Sequence, residues 1–184
     1  MLAKVSDEYS LNLTHFSQAL LACIELSGQC AGIRSPSGRH SYAAVLFTAL
    51  CTRGMSLGMM APRNRWTIKQ IDHWDHIGMF GLARGILEVR LAFYYLCAEK
   101  CAPAEWGLRW NLFNLHDCCS RIKLFGGLDG ANAAIPMFEL QAEGLRNRIR
   151  ANRVFRENKL HFSEKQQREL LSGRKCYLYP LGVC

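Results

Sequence analysis

No run in this chain alternates apolar with polar residues over six positions between turn dipeptides. Apolar residues recur at steps of three and four instead. A half-buried strand needs a period of two and an amphipathic helix a period of 3.6, so the sequence predicts an all-α fold. The first helix is expected over about 7–27, striped by Leu13, Phe16, Leu20 and Cys23 and ended by Gly28. A loop over 28–40 leads to a second helix at 41–60, stopped by Pro62. The third and longest is predicted from a Thr67 cap to about residue 100, and the fourth covers 104–125 before Gly126-Gly127. Pro136 suits the first turn of a fifth helix running to about 159, with Phe138, Ala142, Leu145 and Ile149 on one face. Ser163 with Gln166 matches a capping box for a short sixth helix, ended by Gly173.

No repeat and no long linker interrupts the 184 residues, so the expectation is one domain over 1–184, a single bundle of five or six mostly antiparallel helices. A 49% hydrophobic content excludes a wholly disordered chain. Nine cysteines, an odd number, and an N-terminus without an apolar leader fit a reducing cytoplasm better than a disulfide framework. The most membrane-like stretch, 42–62, is broken by Arg53 and diluted by Ser, Thr and Gly, and reads as a buried core helix rather than a membrane span. Gly54 and Gly58 would let another helix approach it closely. The apolar tail 174–184 (RKCYLYPLGVC) suits a segment that packs, exchanges between copies, or continues into a longer chain.

Metal chemistry is weakly indicated. Cys97, Cys101, His116, Cys118 and Cys119 lie close in sequence, but the adjacent Cys118 and Cys119 would point to different helix faces, and packing explains them better. Asp72-His73-Trp74-Asp75-His76 offers carboxylates and imidazoles one turn apart, without the Glu-x-x-His or His-Glu-x-x-His spacings of metal-binding helices. No metal and no cofactor is expected.

Three polar constellations remain. Arg84 and Glu88, with His73, fall beside apolar residues on one face of the third helix and are expected to form a polar core pair. Arg109 and His116 stand two turns apart on the fourth helix. Such a pair suits metal-free RNA cleavage, the Arg holding phosphate while the His moves the 2′-hydroxyl proton. On the fifth helix Arg146, Arg150 and Arg153 share a face, a candidate nucleic-acid contact stripe in a chain of net charge +8.

The segment 73–97 (HWDHIGMFGLARGILEVRLAFYYLC) resembles the core of a bacterial helical family of unknown function that shares an ARxxxE helix and an aromatic-rich continuation. The likeness rests on Ala83, Arg84, Glu88, Phe93, Tyr94 and Tyr95. More loosely, Arg109-x(6)-His116 is similar to the Arg-x(4–6)-His motif of HEPN-type ribonucleases, with Trp110 where that superfamily usually places a polar residue. That resemblance implies a helical homodimer cutting RNA without metal, in a toxin or anti-phage setting. The expectation is therefore a cytoplasmic, dimeric helical domain engaging RNA or another polyanion, with Arg109 and His116 catalytic. The alternative is a non-catalytic protein-interaction or regulatory module.

Overall fold

A computed structural model describes residues 6–67, 75–127 and 134–178. Among them every regular element is helical: α1 (Asp7–Gln29), α2 (Gly38–Met60), α3 (His76–Phe93) extended by a π-turn (Tyr94–Ala98), α4 (Pro103–Phe125), α5 (Ile135–Ala151), α6 (Arg153–Arg156) and α7 (Glu164–Leu171). The chain divides into two compact units, Met1–Glu99 and Lys100–Cys184. Asp72, His73 and Trp74 of the metal-like run 72–76, and the tail beyond 178, lie outside the described residues.

Side chains cap the helices where they can reach an orphan amide, and of these caps only the one at Ser163 is expected from the sequence. Ser6 accepts from the Tyr9 amide at α1 and Ser37 from the His40 amide at α2. Ser163 and Gln166 complete the reciprocal capping box of α7. Gly28, expected to end the first helix, lies inside α1, which runs on to Gln29 with Cys30 as its C-cap, and two further boundaries move. The residues that a Thr67 cap would serve lie outside the described ones; Thr67 itself, with the buried Asn64, closes a turn in which Asn64 Oδ1 accepts from the amides of Trp66 and Thr67. Among the described residues α3 begins at His76, capped by Asp75, which accepts from the Gly78 amide. The fifth helix breaks at Asn152, which adopts an extended conformation, caps α6 through the Val154 amide and donates to the Ala104 carbonyl. This break divides the expected fifth helix in two, so that seven α-helices stand among the described residues.

In the first unit α2 packs against α1, α3 and the π-turn. Gly54 receives Leu20 of α1, since a Cβ there would stand 2.9 Å from Leu20 Cδ1. Arg39 holds the end of the π-turn by donating to the carbonyls of Cys97 and Glu99. Among the described residues α2 is the one helix long and apolar enough to cross a membrane, yet only 22% of its most apolar window is buried. The core helix expected there is thus buried along one side, at Leu46, Cys51, Gly54 and Gly58. Another flank, with Ala44, Phe47 and Met55, lines an open cleft.

The second unit is built on α4, which packs against α5 and α6. Leu108, Leu112 and Leu115 are completely enclosed, as are Ala142 and Ile149 of α5. Leu112→Ala is expected to cost about 2–5 kcal/mol, as for a fully enclosed leucine, whereas Leu124→Ala, at an exposed position of the same helix, should cost under about 0.5 kcal/mol. Urea unfolding of the two variants checks the contrast.

Candidate functional site

The seven-residue spacing does put Arg109 and His116 on one side of α4, and that side borders the leucine core. Arg109 is 2% exposed. Its Nη2 and Nε donate to Glu105 Oε1 at 2.6 and 3.1 Å, an (i, i+4) pair in the first turns of the helix. A guanidinium so enclosed, with a carboxylate as counter-charge, is a structural ion pair rather than a phosphate contact. The structure does not bring Arg109 and His116 into one accessible site.

His116 opens instead onto a pocket of about 400 Å³ formed with Cys119, Ser120, Lys123, Ser172, Gly173 and Arg174. From α4 come His116, Ser120 and Lys123 at i, i+4 and i+7, and the residues after α7 close the other side. The His116 ring is fixed by its Nδ1–H, which donates to the Gly173 carbonyl at 2.8 Å. Nε2 is thereby left as the ring nitrogen for a ligand or a proton. Gly173 has φ +73°, and a Cβ there would stand 2.5 Å from Cys119 Sγ. Gly173 ends α7 as expected, and its left-handed backbone is also what lets the carbonyl approach His116.

None of the seven lining residues is acidic, while three are basic. Lys123 lies in the last turn of α4 and Arg174 just past α7, where helix dipoles favour positive charge. Nearby, Lys175 at 2.5 Å holds the Glu169 carboxyl below its usual range. Lys123, Ser172 and Arg174 carried no sequence signal as a group. Only His116 among the lining residues was singled out for catalysis by the sequence, and the approach of the α7 end is decided by tertiary packing.

The arginine stripe is rearranged by the break at Asn152. Arg146 and Arg150 stay on α5 and share Glu143, at 3.2 and 3.3 Å. Arg153 moves to α6 and shares Glu157 with Arg156 and Lys159. The three candidates therefore do not form one helical face. They are bridged without being neutralised, since these five cations share two carboxylates. Arg150 and Arg153 keep 51% and 69% of their side chains exposed. Arg146 is more enclosed, donating to the Leu171 carbonyl at 3.1 Å and reaching Cys119 Sγ on the pocket wall.

In the first unit Arg84 and Glu88 form the expected pair, Nε–Oε1 2.8 Å, but as a surface pair, 82% and 61% exposed. Their polar core role is corrected, because α3 buries a different side, through Val89 and Ala92. The open cleft against α2 measures about 1160 Å³ and is lined almost wholly by apolar and small residues, with Arg34 its one permanently charged member beside the titratable His40, Cys30 and Cys51. Burial pushes the thiols of Cys51, Cys97, Cys118 and Cys176 up, so they stay protonated and poorly nucleophilic at neutral pH. Among the described residues no three His, Cys, Asp or Glu side chains gather as metal ligands. Compared with known protein families, with curated proteins and with solved structures, the chain matches none.

Gly173→Ala is expected to cost at least about 1–2 kcal/mol through its left-handed backbone alone, and to displace His116. A lowered urea midpoint together with a shifted His116 imidazole resonance checks this. Glu105→Gln, which removes the carboxylate charge beside the enclosed guanidinium, should cost about 3–5 kcal/mol by the same urea assay.

Proposed function

We propose that the second unit is a polyanion-engaging module, with RNA its first-choice partner and the pocket around His116 its phosphate seat. The observation that carries this reading is the convergence of His116, Lys123 and Arg174 on a hollow without a carboxylate. Charge distribution supports it: residues 100–184 hold 14 basic and 8 acidic residues, against 9 and 7 in residues 1–99. Phosphate supplies the negative charge that the lining lacks, and the Ser120 and Ser172 hydroxyls can donate to its oxygens. The exposed guanidinium groups of Arg150 and Arg153 extend the positive surface along a strand. Any cleavage by this site runs with His116 Nε2 as the proton-moving group and with Lys123 or Arg174, not Arg109, beside the phosphate. The free thiols of the described cysteines suit a reducing cytoplasm.

A second reading, a non-catalytic protein-interaction module, is favoured by the apolar cleft of the first unit. Salt separates the two, because phosphate contacts release counterions and apolar contacts do not.

The test is fluorescence titration of the full chain with a labelled single-stranded RNA. Lys123→Gln/Arg174→Gln is expected to weaken binding about tenfold or more and to flatten the salt slope by about 1.4, the value for two lost contacts on a single strand. His116→Ala should abolish any RNA cleavage while leaving the circular dichroism unchanged. Unaltered RNA affinity and salt slope in the double variant would sink the reading.

A further inference from the structure

The outer side of α3 carries a repeat that polyanion binding leaves unused. Ile77, Phe80, Arg84, Leu87, Leu91 and Tyr94 follow one another at alternating steps of three and four, the a/d spacing of a helix that supercoils with another helix. The five apolar members are all exposed, from 42% at Leu91 to 87% at Ile77. Meanwhile Val89 and Ala92 take a different side of α3 into the core. A helix already packed on one side, with an apolar stripe on its solvent side, is shaped for a partner. The 3.5-residue period fits a partner that is itself a helix.

We propose that this partner is a second copy of the chain, with the two α3 helices packed antiparallel about a two-fold axis. The seam maps onto itself about a point between Gly85 and Ile86. Ile77 then meets the partner's Tyr94, Phe80 meets the partner's Leu91, and Arg84 meets the partner's Leu87. The one charged member sets the orientation. A parallel pair would place the two Arg84 side chains at the same level, like charge against like charge. In the antiparallel pair the partner's Glu88 comes within one residue of Arg84 along the axis, about 1.5 Å. Glu88 already reaches Arg84 within one chain at 2.8 Å, so the two pairs close into a neutral cluster at the dyad. A self-complementary contact of this kind ends at two copies. The 18 residues of α3 span about 27 Å, a short seam, so association belongs to the micromolar range.

Sedimentation velocity on the full chain tests this across about 1–100 µM, the range that a small interface populates. A concentration-dependent dimer is expected. Phe80→Glu and Leu87→Lys alter exposed positions, so circular dichroism should be unchanged while association weakens at least about tenfold. Arg84→Glu, which sets like charges beside Glu88, should weaken it too, and Arg84→Glu/Glu88→Arg should restore it. A photo-cross-linking residue at position 77 should label the peptide containing Tyr94 of the other copy. A monomer at about 100 µM overturns the proposal, whether or not that monomer then binds anionic vesicles or another protein. A dimer indifferent to Phe80→Glu, or a cross-link joining position 77 to itself, overturns it equally.

Discussion

The second unit depends on the enclosed face of α4. Leu108, Leu112 and Leu115 have no access to solvent, and α5 and α6 pack around that helix. Removing such side chains from water is the dominant favourable term in folding a unit of this size. It also dictates what happens to charge nearby. Arg109 falls in this enclosed region and is tolerable there because Glu105, one turn earlier, supplies the opposite charge. Two turns on, where the same side of the helix emerges from the core, His116 reaches a pocket. One helix thus turns a basic residue into a structural element at one end and turns an imidazole toward a pocket at the other.

Charge outside the core follows a different logic. Glu143 and Glu157 each serve more than one cation, which positions the long side chains while leaving a positive surplus. Exposed pairs of this kind contribute little to stability. Their consequence is a field that attracts anions and a set of guanidinium groups whose geometry is partly fixed in advance. The pocket lining concentrates the same sign of charge, with a carbonyl hydrogen bond to hold the imidazole in place.

The first unit carries the opposite surplus. It has little net charge but leaves apolar surface uncovered, along the open flank of α2 and along the solvent side of α3. Patches of that size on one helical pack are a reason to look for association. The exposed Arg84–Glu88 pair sits within the α3 stripe and gives an otherwise featureless apolar surface a register and a direction.

The sequence by itself determined that the chain is helical, where most helices begin and how α7 is capped, because periodicity and capping are local. The seven-residue spacing within Arg109-x(6)-His116 and the stop of α7 at Gly173 were legible for the same reason. It did not disclose the break at Asn152, because that residue is held by the Ala104 carbonyl 48 positions earlier. Nor did it disclose which arginines are enclosed, since a helical stripe reports a side and not what covers it. Arg84 with Glu88 and Arg109 with Glu105 have the same spacing and the same chemistry. Only tertiary packing decides that the first lies in water and the second in the core, and the pocket that unites His116 with Arg174 exists only because the chain returns there after 57 residues.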